Sequence, residues 1–348
     1  NIGKKIVSAF LAVLMLSACV VQAGAVSVKE ITAPSAILVE AETGKVLFEK
    51  DCHQVRACAS ITKEMTMLLV MEAIEDGKIS MKDSITASAH AASMGGSDIW
   101  LEEGEVMSVH DLIKATAVAS ANDAAVALAE EVAGSEDAFV EKMNEKAKSL
   151  GMKETTFKNC NGLDEEGHLT SAYDVAVMSR ELIKHKEIFE FTSIWMDNLR
   201  GGKTQIVNTN KLLKTYKGIT GLKTGTTSQA GSCISATAQR DGLTLVAVVL
   251  GSSSGKERFT DAAALLDHGF ANYCIYTPVF KENIPEISVK NGMQPNLKAA
   301  ANISGSFVIE KGRSKEVTYR LNVKNEVEAP VNLSLIHISE PTRQEAIS

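Results

Sequence analysis

The chain has 348 residues, length for about two domains. Apolar residues make up 45% and charged residues 23%, which excludes a disordered chain and leaves ample material for a packed core. With aromatics at 5% and a net charge of −7, stacking platforms for single strands and polyanion-binding surfaces are not expected, so no nucleic-acid partner is implied. Six cysteines are too few for a disulfide scaffold, and they lack the paired C-x-x-C spacing of a zinc site. No metal or cofactor is implied.

At the N-terminus, Lys4 and Lys5 precede an apolar run over 6–18, too short to span a bilayer and suited to an export signal over 1–23. Two processing readings stand side by side. Val21-Gln22-Ala23 suits an ordinary signal peptidase, whereas Leu16-Ser17-Ala18-Cys19 resembles a lipobox, which would put a lipid on Cys19 and the protein on a membrane surface. Residues 35–50 alternate around Glu42-Thr43-Gly44-Lys45 and predict a β-hairpin. Helices are predicted over 61–76, closed by Gly77, and over the Ala-rich stretch 109–132. Two more follow over 136–150 and 172–185. The β-branched runs 232–238 and 243–250 flank Arg240-Asp241-Gly242, a hairpin signal, and helix returns over 261–273. Strands open and close the segment and helices fill its middle. That order predicts an α/β domain over 30–275, with an antiparallel sheet joining the N-terminal hairpin to the late strands. Short alternating stretches at 288–290 and 317–321 predict a small, incomplete β domain over 278–332. Residues 333–348 begin with Leu-Ser-Leu-Ile-His-Ile-Ser-Glu-Pro-Thr-Arg, which matches one frame of a transposase sequencing adapter. They are expected to be foreign, with the native C-terminus missing.

Three short motifs carry chemistry. Ser60-Ile61-Thr62-Lys63 starts a predicted helix, and helical positions three apart share a face. A hydroxyl and an ammonium therefore meet, and a buried lysine of lowered pKa can activate a serine. Ser60 alone reads equally well as a helix N-cap. Ser253-Ser254-Gly255-Lys256 has the same spacing but reads as a chance match in a Gly/Ser loop. Ser120-Ala121-Asn122 puts polar groups inside an apolar helical stretch, which implies a cleft. Lys223-Thr224-Gly225 precedes the late strands, and its glycine permits close backbone approach by a ligand. The set S-x-x-K, S-x-N, K-T-G in this order is far more specific than any member.

With these motifs the chain resembles the low-molecular-mass penicillin-binding proteins, the serine-type D-alanyl-D-alanine carboxypeptidases of peptidase family S11. The likeness extends over about 31–273 and includes Gly95-Gly96-Ser97-Asp98-Ile99-Trp100-Leu101, Asn161-Gly162-Leu163 and Asn208-Thr209-Asn210-Lys211-Leu212-Leu213. Cys58 departs from it, standing where the family usually has proline.

The resemblance implies a β-lactamase/transpeptidase-like fold and an acyl-enzyme mechanism on peptidoglycan stem pentapeptides. Ser60 would be the nucleophile, Lys63 its base, and Ser120 a proton relay. Asn122, Lys223, Thr224, Gly225 and Thr226 would bind substrate, with the N–H groups of Ser60 and Thr226 as the oxyanion hole. β-Lactam antibiotics would be covalent inhibitors, and a C-terminal membrane anchor would follow the β domain. Two alternatives remain open at this point. A class A β-lactamase would need an E-x-x-L-N loop, and no such string lies between Asn122 and Lys223. A non-catalytic penicillin-sensing module would keep the fold without turnover. His168, His185 and His268 are read as isolated.

Overall fold

A computed structural model describes residues 31–277, 285–298, 306–317 and 325–331. The leader, the lipobox cysteine and the expected foreign tail lie outside these residues. The chain divides into two compact units at Tyr273/Cys274.

The first unit is built on a five-stranded antiparallel sheet. Strands β1 (Ser35–Glu40) and β2 (Val46–Lys50) form the early hairpin. Strands β3 (Ile219–Thr227), β4 (Gly231–Arg240) and β5 (Leu243–Ser252) come late, and the spatial order is β2-β1-β5-β4-β3. β5 pairs with β1 on one side and β4 on the other, and is buried along nearly its whole length. That explains its near-continuous apolar sequence, since a strand covered on both faces has no polar face to present. Asp241 and Gly242 both take positive φ (50° and 80°), the requirement of the tight turn that matches strand twist.

Helix α1 (Lys63–Glu75) is buried on nearly every side in its first half, polar Lys63, Glu64 and Thr66 included, and runs through the core. A 3-10 turn, Ala59–Thr62, precedes it, and Gly77 at φ 70° follows it. The stretch predicted as one helix over 109–132 is two, α2 (Val109–Val118) and α3 (Asn122–Ala133). Its alanines favour helix locally, but long-range bonds win at residues 119–121. Asn122 N donates to Ser97 O at 2.7 Å, and Ser120 takes φ 61°. A left-handed residue ends a helix, usually as glycine; here a serine does so, and it belongs to a motif.

Helices α4 (Glu136–Ser149) and α5 (Ala172–Leu182) follow, the latter three residues shorter than its pattern predicts. Helix α6 (Gly255–Asn272) begins six residues before the predicted start, because Ser254 Oγ accepts from Glu257 N and caps it. The second S-x-x-K string therefore lies at a helix start and not in a loop. α6 packs where Gly269 meets Leu38 and Leu245, while Ile37, Val39, Val246 and Val248 join the core around α1. Cys52 and Cys58, close in sequence, are both free thiols with separate partners, Glu49 and Thr62.

In the second unit, Ile287–Lys290 lies between Asn296–Leu297 and Glu326–Glu328, and Phe307–Glu310 is a further strand. Val317 lies outside any strand, and the rest of the predicted strand 317–321 is outside the described residues.

Candidate active site

The turn before α1 and the first turn of α1 place Ser60 and Lys63 together. Lys63 Nζ lies 3.0 Å from Ser60 Oγ, 2.6 Å from Asn122 Oδ1 and 2.5 Å from Asn161 O. Lys63 is 0% exposed, while Ser60 is half-buried and reaches the cleft. Its hydroxyl makes no N-cap bond, so the capping alternative does not describe it.

The turn that carries Ser60 is strained and firmly held. Ala59 sits at φ 51°, a region costing about 1–3 kcal/mol for a residue with a side chain. Its carbonyl accepts from Thr62 Oγ1 at 2.9 Å, and Thr62 Oγ1 lies 2.7 Å from His168 Nε2. His168 Nδ1 accepts from Lys158 N, so Nε2 carries the ring proton and donates to Thr62. Burial pulls the His168 pKa down to about 4, which keeps that tautomer neutral. His168 is therefore not isolated; it braces the Ser60 turn from behind.

Two glycines allow the turn its space. A Cβ on Gly162, which has φ 86°, would fall 2.0 Å from Ala59 O. A Cβ on Gly225 would fall 2.7 Å from Ser60 N and 2.9 Å from Cys58 O. The glycine of K-T-G makes room for the chain's own Ser60 turn, where the sequence pattern suggested room for a ligand.

The break between α2 and α3 supplies the opposite wall. Ser120 Oγ accepts from Lys223 Nζ at 2.8 Å. Asn122 spends both ends of its amide on protein, accepting from Lys63 and donating to Gly95 O at 2.6 Å. A Cβ on Gly96 would crowd that Nδ2 at 2.9 Å. Asp123 fastens the same loop by accepting from the N–H groups of Ile99 and Leu101.

β3 is the edge strand of the sheet and forms the third wall. Lys223 is 1% exposed and also donates to Thr224 O at 3.0 Å. Thr224 Oγ1 donates to Thr209 Oγ1, and Thr226 Oγ1 donates to Gly225 O. Thr226 is exposed at the strand end, and Arg258 of α6 donates to its Oγ1 and to Gly225 O, each at 2.8 Å. The eight residues expected from the motifs and the resemblance thus sit on three neighbouring elements: the start of α1, the α2–α3 break and β3.

Both lysines are buried, and burial lowers each of them. Burial first, and then the Lys223 charge, hold Lys63 well below the usual lysine range. Burial brings Lys223 down to about 7, opposed by Glu64 and aided by Arg258. Lys63 presents three bonds, two of them to oxygens that only accept. Its two amine hydrogens satisfy those, which leaves a lone pair for the third partner, the Ser60 hydroxyl.

The family description of D-alanyl-D-alanine carboxypeptidases, peptidase S11, matches residues 22–254. The chain belongs to this family. It is 46% identical over 305 residues to the D-alanyl-D-alanine carboxypeptidase DacF of Bacillus subtilis, covering 86% of this chain and 78% of that protein. Penicillin-binding protein 5 of Haemophilus influenzae superposes with a TM-score of 0.76 at 32% identity, over 86% of this chain and 89% of the other. Penicillin-binding protein D2 of Listeria monocytogenes, solved in its ampicillin-bound form, gives 0.64 at 33% identity, over 69% and 98%. The fold is that of the penicillin-binding carboxypeptidases, and a small β unit follows it in the chain.

For this S11 chain, motif reading missed the supports around the cleft. Asn161 reaches Lys63 through its backbone carbonyl, and a backbone role leaves no mark in side-chain type. Arg258, 33 residues beyond Gly225, is brought to β3 only by the packing of α6 on the sheet. Glu64 does carry a visible signal, a carboxylate in the first turn of a helix, directly before the apolar run that starts at Met65.

Proposed function

We propose that the chain is a serine-type D-Ala-D-Ala carboxypeptidase that removes the terminal D-alanine from peptidoglycan stem pentapeptides. The observation that carries this reading is the buried Lys63 amine, 3.0 Å from Ser60 Oγ with its other two contacts on pure acceptors. A base of lowered pKa at hydrogen-bond distance is what general-base activation of a hydroxyl requires.

Lys63 takes the Ser60 proton as Oγ attacks the carbonyl between the two D-alanines. Charge building on that carbonyl oxygen meets the N–H groups of Ser60 and Thr226; loss of one such donor costs about 10²–10³ in rate. The C–N bond breaks, and Ser120, bonded to Lys223, relays a proton to the leaving amine. D-Alanine departs, leaving an ester on Ser60. Water then attacks the ester and returns the proton to Oγ. Asn122 orients the base and lines the cleft. Lys223, Thr224 and Thr226 receive the terminal carboxylate, and the free edge of β3, beside Gly225, offers backbone groups to an extended peptide.

β-Lactams act on this chain as covalent inhibitors through the same serine. We also propose that the protein is exported by residues 1–23 and works in cell-wall biogenesis at the outer face of the membrane. The leader-like pattern of residues 1–23 supports this. A β-lactamase would need a carboxylate to activate water near the ester, but Glu165 and Glu166 of the neighbouring loop are exposed and Glu165 accepts from Asn159.

The test compares D-alanine release from a pentapeptide mimic with decay of the benzylpenicillin adduct on one preparation. Steady release beside a long-lived adduct is expected. Fast penicillin hydrolysis without D-alanine would turn the reading to a β-lactamase, and a stable adduct with no release would turn it to a sensing module.

A further inference from the structure

Glu64 directly follows the base lysine, yet adjacent helical residues do not share a face. Lys63 points into the cleft, and Glu64 points beneath it, between α5 and the sheet. Glu64 Oε2 accepts from Ser179 Oγ of α5 at 2.6 Å, and Ser179 Oγ lies 2.8 Å from Ser235 Oγ of β4. Ser235 stands directly opposite Lys223 in the β3–β4 register, so their side chains leave the same face of the sheet. The carboxyl is 0% exposed, and its Oε1 has no hydrogen-bond partner among the described residues. A buried oxygen left unpartnered is destabilising, because it has lost its water without gaining a hydrogen bond. Methionine or leucine, the residue types at Met65, Met67 and Leu68 of the same helix, would avoid that cost.

The groups around the two lysines differ. Lys63 is influenced by Lys223 of β3, Asp123 of α3, and the Cys58 and Cys160 thiols. Lys223 is influenced by Glu64 of α1 and Arg258 of α6, with opposite signs. Glu64 also faces the Cys58 thiol, whose pKa is pushed up to about 12 chiefly by burial. Asp123 favours charge on Lys63, but its oxygens are already taken by the N–H groups of Ile99, Leu101 and Ala124. Glu64 is therefore the carboxylate that bears on Lys223.

We propose that Glu64 is a positioning residue that assigns the proton of the two buried lysines to Lys223, leaving Lys63 free as the base. The inference rests on the hydrolase reading above. Two ammonium groups repel each other in this cleft, and a carboxylate on one side decides which remains charged. Burial raises Glu64 to about 7 and the Lys223 charge opposes that rise, so the pair responds around neutrality.

The variant Glu64→Gln keeps the shape and an acceptor for Ser179 but removes the charge. Without it, Lys223 loses its proton at lower pH and Lys63, relieved of that neighbour, holds its proton to higher pH. The bell-shaped pH profile of acylation by benzylpenicillin should narrow from both sides. A limb displaced by one unit means about a tenfold loss on that flank at fixed pH. Glu64→Met, which fills the same volume, should narrow it likewise and raise Tm. Lower rates with both limbs unmoved in the two variants would mean a packing role and overturn the proposal.

A second readout needs no turnover. Because Glu64 is raised from 4.5 to about 7 on folding, wild-type Tm should fall relative to the Gln variant as pH rises through that window. Lys223→Met should extend the window upward, since Lys223 holds Glu64 down. A window unaffected by Lys223 would also overturn the proposal. D-Alanine release by the wild type tests the hydrolase reading separately.

Discussion

Two S-x-x-K strings begin helices in this chain, and their surroundings differ in almost every respect that matters to chemistry. Ser60 and Lys63 start α1 in the core, whereas Ser253 and Lys256 start α6 at the surface. Lys63 is fully buried with three oxygen partners; Lys256 is exposed. Ser253 Oγ donates to Glu257, four residues on, and Ser254 is spent on capping. Both strings have identical spacing and lead into a helix. Burial beside a second buried cation is what lowers a lysine into the range of a base, and only the first string has it. An S-x-x-K string thus becomes a catalytic pair through what the fold packs around it.

The largest effect expected from this contrast is at the hydroxyls. Ser60→Ala should abolish penicillin labelling and cut D-alanine release by on the order of 10⁴-fold or more, the scale of losing a nucleophile. Ser253→Ala should leave both unchanged. Mass spectrometry after labelling should find the adduct on the peptide holding Ser60; an adduct at Ser253 would reverse the comparison.

The lysines come next. Arginine stays protonated across the working range, so Lys63→Arg should keep the fold and lose about 10²–10⁴ in acylation rate. Lys256→Arg should match the wild type. With Lys63 held low by burial and by Lys223, wild-type acylation should rise with pH as Lys63 loses its proton. That limb should fall below the unperturbed lysine value of roughly 10.4. A rate that begins to rise only near that value would end the claim that burial distinguishes the two strings.

A smaller effect is expected from the glycines at the two turns. Gly162→Ala puts a Cβ against Ala59 O at a positive φ, so the Ser60 turn must shift. Acylation should drop about tenfold or more, because misplacement of about 1 Å can cost on the order of 10², and Tm should fall with it. Gly255→Ala, where the nearest contact is Arg258 Nη2 at 3.8 Å, should hold activity and gain about 0.4–1 kcal/mol through the unfolded chain. Equal behaviour of the two variants in stopped-flow acylation would remove the distinction.

The smallest effect belongs to the surface cap. Ser254→Ala loses one N-cap bond, worth about 1 kcal/mol. Calorimetry should show Tm lower by about 2–4 °C for a unit of this size, with kcat/KM unchanged. A change in kcat/KM would mean that the second string contributes to the site after all.

Sequence by itself determined the parts that depend on residue type and short spacing. The early hairpin and the late strands are legible because alternation and the Asp241-Gly242 turn act locally. The polar residues of the three motifs are legible because a hydroxyl, an amine and a carboxamide cannot be exchanged for other groups without loss of the chemistry; Thr226, outside K-T-G, came only with the family resemblance. The Ala-rich stretch 109–132 marks the limit of that reading: local propensity favours one helix, and bonds to Ser97 and Lys63 break it at Ser120. Tertiary structure alone decided that His168 braces the nucleophile's turn, that Arg258 reaches β3, and that Gly225 yields its space to Ser60. It also decided which S-x-x-K string holds a base. These facts depend on burial and on contacts between residues distant in sequence, and desolvation is a property of the packed surroundings, absent from a four-residue string.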